Sequence, residues 1–266
     1  MAHRLVSGNV NDRAVPDVRL TSVHNFRDVA GPGYALVPDG TMSRGVVYRS
    51  TALAVGEEDL DVLERLGVTA VVDLRTEDEI AKQPDVVPAG ADYVAVDVLA
   101  GHTSAATLTT FDDFGVEDAR REMALTYERF VLGDDERAAF GRAVHALAAS
   151  SGPAIVHCTA GKDRTGWVSA VLQLLAGVRE EDVLADYLLT RTHSVDFVSA
   201  IRSFVEAEMP EHLAVIEVLI GVEEEYLRRS LDHLTREFGD ARRYLVEGTG
   251  LEEPVVEALT ERLRRR

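Results

Sequence analysis

A cysteine and an arginine separated by five residues are the side chains of this chain best suited to act together on a substrate. Cys158 is the sole cysteine among 266 residues, and Arg164 follows it in the string His157-Cys-Thr-Ala-Gly-Lys-Asp-Arg-Thr-Gly166. A guanidinium binds two oxygens of a phosphate through its planar set of N–H donors. A thiolate that faces a phosphate held in this way is placed to attack the phosphorus. The spacing therefore predicts a phosphate site with a cysteine nucleophile.

The flanking sequence places this string between a buried strand and a helix. Residues 154–156 are a short apolar run after a Gly-Pro break, which is typical of a buried strand. Apolar residues then recur at helical spacing from 168 to 175, and Gly177 is a C-terminal stop signal. Backbone N–H groups of a loop that enters a helix N-terminus converge and favour an anion. The same field stabilises the thiolate of Cys158.

The Cys-x5-Arg spacing resembles the signature of the protein tyrosine phosphatase superfamily. The longer string over residues 157–166 resembles a bacterial branch that includes secreted mycobacterial and listerial tyrosine and lipid phosphatases. The segments Asn25-Phe-Arg-Asp and Tyr48-Arg-Ser also resemble the N-terminal part of this branch. The resemblance is loose from about Thr21 to the C-terminal helices and sharp only over residues 157–166. It implies hydrolysis of phosphate monoesters through a phosphocysteine, with no metal and no cofactor.

Chemistry and resemblance together predict a role for each residue of the loop. Cys158 is the nucleophile, Arg164 binds the phosphate and its transition-state charge, and Thr165 donates to the thiolate when it leaves. His157 is expected to order the loop through its side chain without contacting the substrate. A second loop cation, Lys162, is similar to one in phosphatases that act on phosphoinositide head groups. The residues expected to bind substrate within the loop are Thr159, Ala160, Gly161 and Lys162, with Gly161 allowing close backbone approach.

The general acid has three candidates. Most tyrosine phosphatases carry this acid in a Trp-Pro-Asp loop, but the only tryptophan of this chain is Trp167. In the bacterial branch an aspartate within the phosphate loop takes the role, which favours Asp163. The neighbouring Arg164 should favour its ionised form, which suits an acid poorly, whereas burial or a dianionic substrate opposes this effect. Asp73 and Asp97, at the ends of two predicted strands, are the alternatives.

Charged residues outside the loop allow two interpretations. Asp73 and Arg75 end a β-branched strand over residues 69–75, at the edge where open α/β sheets place functional groups. They either serve the site, with Asp73 binding substrate, or form an ion pair that caps the next helix. Arg27 is likewise either a substrate ligand or, with Arg49, part of a structural ion pair.

The order of the predicted elements indicates an α/β fold with a mostly parallel central sheet covered by helices on both faces. An N-terminal hairpin is expected near residues 24–50, and only helices are expected after Arg179. We expect one phosphatase domain over residues 1–266. Within it, residues 193–238 are a candidate helical lid by their position in the family, or a layer that completes the core. The final Arg-Leu-Arg-Arg-Arg is predicted to be a solvated helix end.

Composition limits the function classes. The net charge of −18 argues against general nucleic-acid binding and requires positive potential to be supplied locally at a phosphate site. No run approaches membrane-spanning length, and the eight histidines show no metal-binding spacing. A single cysteine fits a reducing compartment, and no signal peptide is visible in the first residues. A cytoplasmic protein is therefore expected, with signal-independent secretion left open.

Three functions stay open at this point. The first is a protein tyrosine phosphatase, with a phosphotyrosine protein as substrate and room for broader specificity. The second is a phosphoinositide phosphatase of the same chemistry. The third is an inactive phospho-binding module, although such modules usually lose the cysteine or the arginine, and both are present in this chain. The oligomeric state is not predicted.

Overall fold

A five-stranded sheet forms the centre of the protein. The computed structural model describes residues 18–99 and 114–265. The sheet strands are β1 (Arg27–Asp28), β3 (Val47–Ser50), β4 (Ala70–Asp73), β5 (Asp92–Ala95) and β6 (Ala154–His157). They lie in the order β1-β3-β6-β4-β5, and a separate pair consists of β2 (Thr41–Met42) and β7 (Arg264–Arg265).

The register of the sheet brings three strand ends to one edge. β6 runs parallel to both neighbours, with Ser50 and Asp73 each opposite His157. β5 is also parallel, and only β1 runs antiparallel, against β3. The mostly parallel sheet and the N-terminal hairpin are thereby confirmed, and the residues after His157 leave from the centre of the carboxyl edge.

Helices surround this sheet. Before the central strand they are α1 (Glu57–Arg65), α2 (Glu77–Lys82), α3 (Val116–Leu132) and α4 (Asp134–Ala149). After it come α5 (Asp163–Ala176), α6 (Glu180–Leu188), α7 (Thr190–His193), α8 (Val195–Glu208), α9 (Leu213–Ile220), α10 (Glu224–Glu237), α11 (Ala241–Arg243) and α12 (Glu253–Leu263). A 3₁₀ turn (Pro210–His212) precedes α9, and a π turn (Tyr244–Gly248) follows α11.

Apolar side chains cover both faces of the sheet. On the larger face, one core joins the sheet to residues of α3, α4, α5, α10 and α12. On the smaller face, a second core joins Val71 and Ile155 of the sheet to Leu63 of α1. Phe26 and Tyr48 stack in that second core with ring centroids 5.3 Å apart. The three inner strands β3, β4 and β6 are therefore buried on both sides, as the apolar runs predicted, whereas the edge strand β5 is mostly exposed.

The helix after the phosphate-loop string is the most deeply buried helix segment near the site. Every residue of α5 from Arg164 to Ala176 except Leu174 is buried. Trp167 packs edge-on against Tyr244 and donates its indole N–H to the Tyr244 hydroxyl at 3.1 Å. The helix ends at Gly177, which has a φ of +97° and confirms the predicted stop.

The helices between residues 193 and 238 do not behave alike. α10 packs against α3 and buries Leu227, Leu231 and Leu234, so it belongs to the core. In α8 only Val205 is buried. Within residues 193–238, α8 is thus the most exposed helix, whereas α9 buries Val215 and Leu219 in the main core.

The C-terminus differs from the sequence-based expectation. α12 ends at Leu263, and Arg264 and Arg265 pair as a strand with Met42 and Thr41, so the predicted helix end is wrong. Residues 1–20, which the sequence predicts to be an irregular lead, lie mostly outside the described residues. Residues 100–115 lack a clear period and predict either a loop beside the site or a long surface connection, and they lie almost wholly outside the described residues. Among the described residues, none of the helices has the length and apolarity needed to cross a membrane.

Candidate active site

The string between β6 and α5 forms an open loop at the carboxyl edge of the sheet. Cys158 follows β6 directly and is buried, and Arg164 lies in the first turn of α5. Among the described residues, no backbone carbonyl accepts a hydrogen bond from the N–H groups of residues 159–162. Free N–H groups at a helix N-terminus form an anion cradle. The cysteine and the arginine are thus brought together as the spacing predicted.

Gly161 gives the loop its shape. Its φ is +62°, and a Cβ at this position would lie 2.2 Å from the backbone oxygen of Ser50. Its own carbonyl oxygen accepts hydrogen bonds from Asn25 Nδ2 at 2.7 Å and from Arg49 Nη2 at 2.7 Å. These two donors hold the carbonyl in place, and a carbonyl so engaged is not available to repel a bound phosphate.

Arg164 is held by a carboxylate from another part of the chain. Its Nη1 and Nη2 donate to the two carboxylate oxygens of Glu79 at 2.6 and 2.8 Å, and Nη1 also reaches the Leu74 carbonyl at 3.3 Å. Burial alone would lower the pKa of Arg164, but the nearby Cys158 and Glu79 raise it above its ordinary value. The guanidinium therefore stays charged, and its Nε, which has no acceptor among the described residues, is available to a ligand.

Glu79 is fixed on its own helix as well. It is the third residue of α2 and completes a capping box in which Thr76 accepts from the Glu79 N–H and Glu79 accepts from the Thr76 N–H. Thr159 of the loop donates to Glu79 Oε1 at 2.6 Å. Burial opposes ionisation, yet the hydrogen bonds from Arg164 and Thr159 lower the pKa of Glu79 from 4.5 to about 2. Thus α2 positions the phosphate-binding arginine.

A second buried carboxylate, Asp186 of α6, gathers two further arginines. Arg49 Nη1 lies 3.5 Å from Asp186 Oδ2, and Arg27 Nε lies 3.5 Å from Asp186 Oδ1. Burial, with a smaller effect from Arg27, lowers the pKa of Arg49 to about 9. Arg27, predicted as a substrate ligand, does not line the cavity over Cys158 and is instead placed as a support for Asn25, to whose side-chain oxygen it donates.

The predicted ligand Asp73 is also placed as a support. Its carboxylate is fully buried, accepts from Arg75 Nη2 at 2.8 Å, and does not line the cavity. Burial would raise the pKa of Asp73, but the hydrogen bonds from Arg75 and the neighbouring His157 lower it to about 2. An ionised, enclosed carboxylate of this kind is poorly placed to donate a proton to a substrate.

His157 joins the same cluster beneath the loop. Its Nε2 lies 3.0 Å from Asp85 Oδ2, and its Nδ1 lies 3.3 Å from the Cys158 carbonyl oxygen. Asp73, Asp85 and His157 place ligand atoms within 4.8 Å of one another, as a metal site would require. Arg75 lies 2.8 and 2.9 Å from the two carboxylates, however, and its fixed charge disfavours a metal cation there. The cluster is an ion-pair support for the loop.

Asp163 is the predicted acid that faces the cavity. Its Oδ1 accepts from the Tyr127 hydroxyl at 2.7 Å, and the Tyr127 and Tyr187 hydroxyls are 2.7 Å apart. Burial, reinforced by Asp163, raises the pKa of both tyrosines well above 10, so they stay protonated and can donate. Asp97, the remaining candidate, accepts from the Leu99 N–H at 2.9 Å and does not line the cavity.

Lys162 points away from the place that its predicted role requires. Its ammonium donates to the carbonyl oxygens of Leu219 at 2.6 Å and Gly221 at 2.8 Å, and lies 3.4 Å from Asp163 Oδ2. These carbonyls end α9, so the lysine ties the phosphate loop to that helix. In this geometry Lys162 is not a free second cation for a substrate.

Thr165 follows Arg164 in the first turn of α5. Its hydroxyl is fully buried in α5 and has no hydrogen-bond partner among the described residues. A buried hydroxyl without an acceptor is costly unless it serves a transient one.

A cavity of about 710 Å³ opens over the loop. Its floor consists of Cys158, Thr159, Ala160, Lys162, Asp163 and Arg164. Its walls come from α3, α8 and α9 and from the turn after α9, and most of their lining side chains are apolar. A substrate whose phosphate lies in the cradle would therefore place its organic part between these helices.

Comparison with known proteins decides the family. A profile of the tyrosine phosphatase family matches residues 18–265. This chain belongs to the tyrosine phosphatase family. The match confirms the resemblance drawn from residues 157–166 and the prediction of a phosphatase, whereas the role of each residue stays a prediction.

Two relatives found by sequence comparison agree with this membership. The chain is 30% identical over 259 residues to the triple specificity protein phosphatase PtpB of Mycobacterium tuberculosis, covering 85% of this chain and 91% of that protein. It is 28% identical over 241 residues to a candidate tyrosine-protein phosphatase of Cupriavidus necator, covering 86% and 82%. The crystal structure of P. aeruginosa TpbA is similar at 17% identity and a TM-score of 0.28, over 76% of this chain and 97% of that one.

Sequence reasoning missed the carboxylates and amides that support the site. Glu79 carried a readable signal, because Thr76 and Glu79 have the spacing of a capping box before a predicted helix. Asn25 lies in a segment that resembles the family, but the sequence does not show that its side chain contacts Gly161. Asp85 and Asp186 carried no signal, since nothing local reveals which distant arginine they contact.

Replacing Glu79 by Gln tests the support of Arg164. Loss of the buried charge should lower the free energy of unfolding by about 3 kcal/mol and kcat/KM by about 100-fold, because the arginine loses its fixed position. Urea unfolding and phosphatase kinetics measure both. The exposed neighbour Glu77→Gln is the matched control and should change stability by less than about 0.5 kcal/mol.

The lowered pKa of Glu79 predicts that the stability of the protein depends on pH. Since the pKa of Glu79 falls from 4.5 to about 2 on folding, its contribution to stability is complete above pH 4.5 and is lost as the pH falls toward 2. Glu79→Gln should therefore lose less stability than the wild type between these pH values. An equal loss of unfolding free energy in the two proteins as the pH falls from 4.5 to 2 would contradict the lowered pKa of Glu79.

Replacing Gly161 by Ala tests the shape of the cradle. The added Cβ meets the Ser50 oxygen and the left-handed φ is unfavourable, so the loop must move and kcat/KM should fall at least about 100-fold. Gly90→Ala is the control, because Gly90 has a φ of +79° but nothing within 4 Å. It should cost about 1 kcal/mol of stability and leave kcat/KM unchanged.

Proposed function

We propose that this chain is a cysteine-dependent phosphatase that hydrolyses phosphotyrosine and related phosphate monoesters through a phosphocysteine. The observation that carries the proposal is the open N–H cradle of residues 159–162 with Cys158 at one end and the buried, carboxylate-held Arg164 at the other. Cys158 and Arg164 both line the cavity that opens over this cradle.

In the first step the phosphate lies in the cradle and contacts Arg164 through its free Nε edge. The thiolate sulfur of Cys158 attacks the phosphorus, the bond between phosphorus and the ester oxygen breaks, and the electron pair goes to that oxygen. Asp163 donates a proton to the departing oxygen. The products of this step are the free alcohol or phenol and a phosphocysteine.

In the second step water attacks the phosphocysteine. Asp163, now ionised, takes the proton of the water, the sulfur–phosphorus bond breaks, and the electron pair returns to the sulfur of Cys158. Thr165 donates its otherwise unpartnered hydroxyl to the thiolate as it forms. Inorganic phosphate leaves, so the net reaction consumes one water for each ester hydrolysed.

Tyr127 supports the assignment of Asp163 as the acid. Its hydroxyl occupies Oδ1 and fixes the carboxyl, which leaves Oδ2 as the oxygen that carries the proton. Lys162 Nζ lies 3.4 Å from Oδ2, so both carboxyl oxygens of Asp163 are held in place at the floor of the cavity.

The proposal extends to a broader substrate specificity and to a helical lid. The name of the mycobacterial relative, a triple specificity protein phosphatase, supports activity on more than phosphotyrosine. A phosphoinositide remains the alternative substrate, although Lys162 is engaged by α9 and does not favour it. We also propose that α8 and α9 act as the lid, and that the protein, with its single cysteine, works in the reducing cytoplasm.

A panel of substrates tests the proposed function. We expect turnover of phosphotyrosine peptides that persists with chelator present and disappears in Cys158→Ser. Phosphoserine and phosphothreonine peptides and phosphoinositides run beside it define the specificity. Phosphate binding without turnover of any member would mean that the chain is a binding module.

The acid is tested by Asp163→Asn. We expect kcat on phosphotyrosine to fall between about 100-fold and 10,000-fold, with a smaller fall on p-nitrophenyl phosphate, whose phenolate leaves without a proton. Asp97→Asn serves as the control and should leave both rates unchanged. A selective loss in Asp97→Asn instead of Asp163→Asn would transfer the role to Asp97.

A further inference from the structure

The cavity over the phosphate loop is larger and more apolar than a phosphorylated side chain requires. Its floor holds the catalytic residues, and its walls carry Met123 and Phe130 of α3, Ile201 and Val205 of α8, and Leu219 of α9. The volume of about 710 Å³ lies within the range of pockets that enclose whole small molecules. Apolar walls next to a phosphate cradle favour a ligand with one anionic end and one apolar body.

Among the described residues, the cations that line the cavity already have partners. Besides Arg164, its cations are Lys162, Arg191 and Arg202. Lys162 donates to two carbonyl oxygens, and Arg191 donates to the Val222 carbonyl at 2.7 Å and to Glu223 at 2.8 Å.

Arg202 forms an ion pair with Glu217 at 2.8 Å. A ligand with several phosphates would have to compete with these partners for the arginines, although both ion pairs are half-exposed and therefore weak. A ligand with one phosphate and an apolar body would need only Arg164.

The net charge of the chain favours a dissolved substrate over one held on an anionic surface. A chain with a net charge of −18 is repelled by anionic surfaces, including bilayers rich in anionic lipid. A substrate that reaches the cavity as a dissolved molecule avoids this repulsion.

We propose that the cavity makes this enzyme a phosphatase of long-chain apolar alcohol monophosphates, in which the phosphate is esterified directly to the chain. The inference rests on the proposed function and extends it to a further substrate class. Cys158 attacks the phosphorus, the bond to the alkyl oxygen breaks, and Asp163 protonates that oxygen; water then releases phosphate and restores the thiolate. The alkyl chain lies between α3, α8 and α9 throughout.

A chain-length series tests the proposal on the full-length wild-type protein. Straight-chain alkyl phosphates from ethyl to dodecyl are assayed below their critical micelle concentrations by phosphate release. Each added methylene should raise kcat/KM by about threefold, chiefly through KM, because each buries further apolar surface. The gain should level off once the chain fills the cavity.

Two variants of α8 locate the effect. Ile201→Asp places a charge in the wall, and the ratio of kcat/KM for dodecyl over ethyl phosphate should fall at least tenfold. Ser203→Asp places the same charge on the exposed side of the helix, outside the lining, and should leave that ratio within twofold. The wild-type series decides the matter even if Ile201→Asp fails to fold.

The source of the ligand is tested with dodecyl phosphate presented in solution, in neutral phosphatidylcholine vesicles or in anionic vesicles. Faster turnover in solution than on anionic vesicles supports a dissolved substrate. Faster turnover on vesicles would show that the substrate is taken from a membrane surface and would overturn this part of the inference. A kcat/KM independent of chain length, with p-nitrophenyl phosphate still hydrolysed, overturns the inference and leaves the proposed function standing. No hydrolysis of either substrate class overturns both.

Discussion

The two hydrogen bonds between Glu79 and Arg164 are the interaction on which the candidate site depends. A buried guanidinium without a carboxylate is expensive, and a flexible one cannot hold a phosphate in a fixed place. Glu79 meets both needs because α2 fixes it through a capping box and Thr159 fixes it from the loop. The bulk of the chain is acidic, yet at this point its acidity serves to hold a positive charge in place.

Other buried carboxylates hold arginines around the loop in the same way. Asp186 holds Arg27 and Arg49, while Asp73 and Asp85 hold Arg75. These residues come from β1, β3, β4 and α6 and from the segments that follow β4 and α2, so the sheet and its neighbours converge on the loop through charges and not only through apolar packing. Buried pairs of this kind add little to stability, but breaking one costs several kcal/mol, which favours a single arrangement of the loop.

The elements of the site could be read from the sequence because their signals are local. The apolar run 154–156 forms part of β6 and Gly177 ends α5, both as predicted, and Cys158 and Arg164 lie in the short stretch between them. The supports could not be read, since Asp186 and Asn25 act on partners more than a hundred residues away. The direction of Lys162 was missed for a related reason, because its acceptors belong to a helix end whose place depends on tertiary packing.

The carbonyl of Gly161, gripped by Asn25 and Arg49, bears on how such a loop could be engineered. The ten residues from His157 to Gly166 contain the nucleophile and the phosphate-binding arginine, but the donors that orient the Gly161 carbonyl come from the first fifty residues of the chain. Grafting the loop alone onto another strand and helix would transfer the nucleophile and the arginine without the two hydrogen bonds that fix the Gly161 carbonyl. A transplant that keeps the chemistry must carry the N-terminal hairpin with it.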